Sequence, residues 1–99
     1  MNRIKNLAIW KRAVALASRI YKVTGKFPDE EKYGLISQLR RCSVSIGSNI
    51  AEGAGRGSNK QFRQFLSIAY GSSYELETQL IIAENLNFIG ETENEVLLN

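Results

Sequence analysis

Histidine is absent from this sequence, and cysteine and proline each occur once, at Cys42 and Pro28. Without histidine, Cys-His nucleophilic catalysis, the Ser-His-Asp arrangement and the usual zinc ligand sets are excluded. The Glu-x-x-His pairs of a di-iron carboxylate bundle cannot be built either. A lone cysteine closes no intrachain disulfide and suits a reducing compartment, so a cytoplasmic location is expected. Apolar runs are short and interrupted by charge, well below the roughly 20 residues that span a membrane. Residues 1–6 lead into an amphipathic segment with no apolar core and small-residue cleavage site, which predicts no signal peptide. Gly53, Gly55 and Gly57 alternate ahead of a helix start with Lys60 nearby. The phosphate-loop pattern Gly-x-x-x-x-Gly-Lys-Ser/Thr is nevertheless missing, and no strand precedes these glycines. Neither an enzyme nor a cofactor or metal site is expected.

Basic residues are missing from the last third. Residues 1–63 hold all 13 Lys and Arg against four acids, a net of +9, whereas residues 64–99 hold six acids and no cation, a net of −6. Either the halves attract one another within the fold, or one face is left basic for a polyanion.

What is present is helical periodicity. At 99 residues the chain forms a single domain, 1–99, small enough for an oligomeric partner to help its stability. Leu7, Trp10, Val14, Ala17 and Tyr21 recur at 3-4-3-4 spacing, with Ala13, Leu16 and Ile20 widening the stripe, which predicts a helix over about 6–24. Lys22, Gly25 and Lys26 suit its carboxyl end. Pro28 followed by Asp29, Glu30 and Glu31 opens a second helix over about 29–53, with Leu35, Leu39, Cys42, Ile46 and Ile50 on one face. Ser43, Gly47 and Ala51 form a strip of small side chains that lets another helix approach closely. Gly53 and Gly55 suit the turn that follows. Ser58-x-x-Gln61 reads as a capping box opening a third helix over about 58–88. Thr92-x-x-Glu95 is a further capping box, announcing a fourth helix from about 93. The chain stops one turn later, so helix four is a stub or the sequence is a shortened form of something longer. The fold class is all-α, an up-down four-helix bundle.

The candidate binding residues are cations. Arg12, Arg19, Lys22 and Lys26 recur on one side of helix one, with Lys5 and Lys11 at its start. None has an acid three or four residues away, save Lys26 across the turn from Asp29 and Glu30. They form a solvated face in a lone monomer, or, arrayed by oligomer symmetry, a positive field that holds a phosphate backbone by counterion release. Base readout is not expected. Arg56, in the glycine segment, is a further phosphate candidate. The carboxylates Glu52, Glu75 and Glu77 pair with Arg40, Arg41 or Arg56.

The run Tyr33-Gly34-Leu35-Ile36-Ser37-Gln38-Leu39-Arg40-Arg41, followed by Ser43-Val44-Ser45-Ile46 and Ser48-Asn49-Ile50-Ala51-Glu52-Gly53, resembles the signature of the bacterial four-helix bundle proteins. These are related to the proteins of intervening sequences in 23S ribosomal RNA genes. The resemblance extends back through Trp10 and Phe27-Pro28 and forward through Gly55-Arg56, Phe65-Leu66, Ala69, Gly71-Ser72 and Glu75-Leu76-Glu77. It implies an up-down bundle assembling as a ring-like homopentamer. It also implies kinship with the accessory variability determinant of diversity-generating retroelements, a basic, nucleic-acid-binding protein that also binds a reverse transcriptase. Gly47 stands where the family commonly carries proline, and the fourth helix is mostly missing. Asn49, Glu52 and Arg56 share a helix face, from which they are expected to bond across to Arg40, Glu75 or Glu77 and fix helix register or a subunit contact.

Two functions remain at this point. One is a non-enzymatic homo-oligomer that binds RNA or DNA through the helix-one cations. The other is a protein-interaction scaffold docking a larger partner such as a reverse transcriptase.

Overall fold

The computed structural model describes residues 7–98. The N-terminal segment 1–6, with Lys5, and Asn99 lie outside the described residues. Four helices follow one another: α1 (Ala8–Thr24), α2 (Leu35–Gly55), α3 (Asn59–Asn85) and α4 (Glu91–Leu98), with a short 3-10 turn at Asp29–Glu31 between α1 and α2. The 27 residues of α3, about 40 Å at 1.5 Å per residue, match the longest dimension of the molecule, 43 Å. The central helix is α2, which packs along both α1 and α3, while α4 meets α3.

Ile20, Leu39, Ile50, Leu76 and Leu80 are completely enclosed and draw one apolar residue or more from each of the three long helices. Phe27, in the α1–α2 connection, meets Phe88 after α3 with ring centroids 5.6 Å apart and closes one end of this core. On α1 the burial is centred on Ala13 and Ile20 rather than on the expected line of Val14 and Tyr21, which stay about half exposed. Those two residues sit at the edge of the stripe, beside α2.

Helix boundaries depart from the sequence expectation at four places. Helix two was expected from Asp29; instead Asp29–Glu31 forms a 3-10 turn, Gly34 leaves helical geometry (φ −113°, ψ −112°), and α2 starts at Leu35. Glu31 opens the helix from a distance, its Oε1 accepting the Leu35 N–H at 3.2 Å. Of the acids after Pro28, Glu31 thus serves the start of α2 without belonging to it. Gly53 and Gly55 were expected in the turn after α2 but are its last helical residues, and the left-handed turn residue is Gly57, φ +82°. Helix three ends at Asn85 because Asn87 takes a left-handed conformation, φ 63°, which asparagine tolerates. Phe88 N–H then returns to Ala83 O at 2.9 Å and turns the chain. The fourth helix begins at Glu91, so Thr92 lies inside it and caps nothing. Ser58 caps α3 as expected, the Gln61 N–H donating to Ser58 Oγ at 3.2 Å, but the Gln61 side chain meets the Ser58 hydroxyl at 3.3 Å, so only one half of the capping box is formed.

Candidate nucleic-acid interface

The cations of α1 owe their position to the helix they ride on. Ala13, Ile20 and Val23 turn inward, leaving Lys11 and Lys22 on the opposite side and Arg12 and Arg19 on the flank beside Ile46 and Ile50, all exposed; Lys26 is exposed just past the helix end. Arg12 and Arg19 are seven residues apart, about 10 Å along the axis. Among the described residues the one ion pair joins Arg56 Nη2 to Glu52 Oε1 at 2.7 Å. The α1 cations are therefore uncompensated within the described fold, and the acidic C-terminal third does not neutralise them. Of the two explanations for the charge asymmetry, a face left basic is the one the described ion pairs favour.

The signature residues of α2 divide into separate tasks. Arg40 reaches the carboxyl end of α1: its Nε donates to Thr24 Oγ1 at 2.9 Å, its Nη2 to Tyr21 O at 3.3 Å, and its guanidinium lies 4.6 Å from the centre of the Tyr21 ring. Thr24 Oγ1 in turn donates to Ile20 O at 2.7 Å. The last carbonyls of α1 are taken mostly by the backbone, Val23 O accepting from Lys26 N–H and Thr24 O from Phe27 N–H, and Arg40 adds a side-chain bond at Tyr21 O. The expected left-handed glycine does not form, since Gly25 stays in right-handed helical geometry. Arg41 is exposed. Asn49 donates to Ser45 O, one turn back in its own helix, at 2.8 Å, and Glu52 holds Arg56. The expected bonds from this trio across to Arg40, Glu75 or Glu77 are absent among the described residues, because Asn49 turns back to Ser45 O and Glu52 and Arg56 hold each other one turn apart. Arg56 also stacks 5.1 Å from the Phe65 ring, on the α3 side of α2 and apart from the α1 cations.

Between α2 and α3 lies a small polar seam. Ser45 Oγ donates to Ser72 Oγ at 2.6 Å, and the Cys42 thiol donates to Ser72 O at 2.9 Å. Burial, and then the nearby Glu75 carboxylate at 3.8 Å, push the Cys42 thiol up to about 11. A thiol held protonated in this way is a poor nucleophile and serves as packing. Glu77 is exposed and joins no ion pair among the described residues.

Two glycines that look alike in sequence differ in space. A Cβ on Gly53 would fall 2.7 Å from Phe65 Cβ, so α2 and α3 approach here more closely than any side chain permits. A Cβ on Gly47 would lie 3.6 Å from Ala13 Cβ, an ordinary van der Waals distance. The small-residue strip of Ser43, Gly47 and Ala51 therefore faces α1 of the same chain, with a shallow groove between Tyr21 and Val44 left open above it.

Two features lay outside the sequence reading. Arg40 capping α1 joins residues 16 and 19 positions apart, with no local pattern to announce it. Asn94, 2% exposed, pins α4 to α3 by donating to Leu80 O at 3.2 Å and to Glu84 Oε1 at 2.7 Å. Its signal was a polar residue one turn ahead of Leu97 and Leu98 on a short amphipathic stretch, which the capping-box reading of its neighbours obscured. Among the described residues no helix is long and apolar enough to cross a membrane, and no cluster of three or more Asp, Glu or Cys is placed to hold a metal.

The same fold occurs in the crystal structure of a protein with unknown function from the S23 ribosomal protein family of Bacteroides thetaiotaomicron VPI-5482. That chain is 25% identical and superposes with a TM-score of 0.81, over 93% of the present chain and 86% of its own. None of the curated proteins compared with the chain matches it. The sequence model described as 23S rRNA-intervening sequence protein matches residues 5–99, and with every residue of the signature inside that match the chain belongs to this family.

Proposed function

We propose that the protein is a non-enzymatic homo-oligomer, a pentamer by its resemblance, that binds RNA or DNA through the α1 cations. The observation that carries this reading is the row Lys11, Arg12, Arg19, Lys22 and Lys26, exposed together and joined to no acid among the described residues. Each subunit brings these five charges, and symmetry multiplies them into a field long enough to follow a phosphate backbone. Contacts of this kind position a nucleic acid without reading its bases. Arg56 contributes less than the α1 cations, because it enters only by releasing Glu52. The reading places the protein in the cytoplasm, where Cys42 stays a free thiol.

The half-exposed apolar residues Val14, Tyr21 and Val44 are support for self-association, since such patches mark contact surfaces. Sedimentation at micromolar concentration tests the oligomer: a pentamer is expected, and a stable monomer rejects it. Binding is tested with the triple substitution of Arg12, Arg19 and Lys22 by alanine. Affinity for a labelled RNA is expected to fall at least about 30-fold at moderate salt, while Arg56→Ala changes it less than about threefold. Equal losses from both variants would contradict the assignment to α1.

A further inference from the structure

Gly71 sits in the middle of α3, where glycine is the least favourable residue after proline, and the single subunit gives no reason for it. A Cβ at this position would meet nothing within 4 Å beyond its own turn of helix among the described residues, whereas Gly53 is imposed by Phe65. Gly71 lies on an apolar stripe that the bundle leaves uncovered. Ile68, Ile82 and Leu86 are each about half exposed, and with Gly71 and Glu75 they fall at helical spacing along one side of α3. That side is not the one that α4 takes. Glu84 meets Asn94 of α4, and Glu75 lies beside Cys42 of α2. Nine residues, about two and a half turns, separate the two glutamates and set them on opposite sides of α3.

A complementary feature lies on the outside of the bundle between α1 and α2. The groove of about 720 Å³ there has buried Gly47 at its floor and Trp10, Val14, Tyr21 and Val44 around it, with no residue of α4 in its lining. Its one charged lining residue is Lys22, and the one charged residue of the α3 stripe is Glu75. Two grooves face to face would set Lys22 against Lys22, and two stripes would set Glu75 against Glu75. Groove on stripe pairs opposite charges instead. It also brings Gly71 onto Gly47, and a small residue on each side lets two helices pack at the near end of their usual separation.

We propose that the α1–α2 groove of one subunit receives the Ile68–Leu86 stripe of α3 from a second copy of the chain, with Gly71 at the point of closest approach and Glu75 beside Lys22. This deepens the self-association of the proposed function and rests on that reading, naming the two faces that meet. Because the faces differ, the contact runs head to tail, the kind that closes into a ring. Burial of the apolar stripe supplies the affinity, while the Glu75 and Lys22 pair at the exposed rim orients the two copies and adds little to it. Lys11, Arg12 and Arg19 lie outside both groove and stripe, so assembly leaves them open to a phosphate backbone.

The test is sedimentation of the full chain and of variants altered on one face each. Gly71→Leu adds a side chain where the single subunit has open space, and Val44→Glu puts a charge into the groove at a half-exposed position. Ile68→Glu, on the same stripe, repeats the first arm, and circular dichroism follows the helices of all three. The natural protein is expected to be an oligomer at micromolar concentration and each variant a folded monomer, its association weakened at least about 30-fold. An equimolar mixture of Gly71→Leu and Val44→Glu is expected to form a one-to-one dimer, since the first keeps an intact groove and the second an intact stripe. Natural-size oligomers from either stripe variant or from Val44→Glu would overturn the proposal and leave self-association standing, with the stripe given to another partner. Two monomeric variants that do not combine would overturn it as well, and so would loss of helix in Gly71→Leu, which would deny the open space at position 71. A natural protein that is already a monomer would reject the self-association reading, and this contact with it.

Discussion

Gly53 and Gly47 show how one residue type serves two purposes on one helix. Glycine costs a helix about 1 kcal/mol relative to alanine, and at position 53 the close approach of Phe65 makes that cost unavoidable. Gly53→Ala is therefore expected to destabilise the protein by about 1–3 kcal/mol, the overlap with Phe65 outweighing the gain in propensity. Gly47→Ala places its methyl in ordinary contact with Ala13 and is expected to stabilise by up to about 1 kcal/mol. Denaturant unfolding of both variants checks the opposite signs; equal signs would refute the packing description. Cys42 gives a second residue-scale prediction. Its thiol is raised from 9.0 to about 11, so the folded state resists forming the thiolate more than the unfolded chain does. The protonated thiol's share of stability is whole below pH 9 and is lost as pH rises toward about 11. Comparing unfolding of the natural protein with Cys42→Ala across this window isolates that share from tyrosine and lysine titration. The loss between pH 9 and pH 11 is expected to be smaller in the variant.

At the scale of elements, Arg40 is what ties α1 to α2 at the carboxyl end of α1. Arg40→Ala removes one hydrogen bond each from Thr24 Oγ1 and the Tyr21 carbonyl and takes the guanidinium from the Tyr21 ring. A loss of about 2 kcal/mol is expected, with Arg40→Lys restoring little, because an ammonium lacks the planar fork that spans both acceptors. Earlier hydrogen exchange in the last turn of α1 is the measurement that locates the effect. The helices themselves were legible from spacing: Leu39, Ile46 and Ile50 on α2 and Ala69, Leu76 and Leu80 on α3 are buried as their period implies. The Ser58 cap was legible too, because a capping box is local. Features that depend on distant residues were not. Glu31 reaching Leu35 from a 3-10 turn, Arg40 crossing to α1 and Asn94 holding α4 each depend on where a neighbouring segment comes to rest. The α1 cations were readable as a row from sequence alone; that the acidic third offers them no partner among the described residues was not.

At the scale of the molecule, the charge asymmetry and the packing run along different lines. The core joins α1, α2 and α3 through aliphatic residues, while the opposite charges of the two ends of the sequence stay unpaired among the described residues. The fold is therefore indifferent to the α1 cations, which leaves them available to a polyanion. Their substitution is expected to leave stability within about 0.5 kcal/mol of the natural protein. The most direct test of this account is titration of labelled RNA and DNA with the purified protein at two salt concentrations. Binding to both is expected, with log K falling linearly in log salt at about 0.7–0.9 per phosphate neutralised and little preference among sequences. No binding at low salt, or binding with a flat salt dependence, would contradict it.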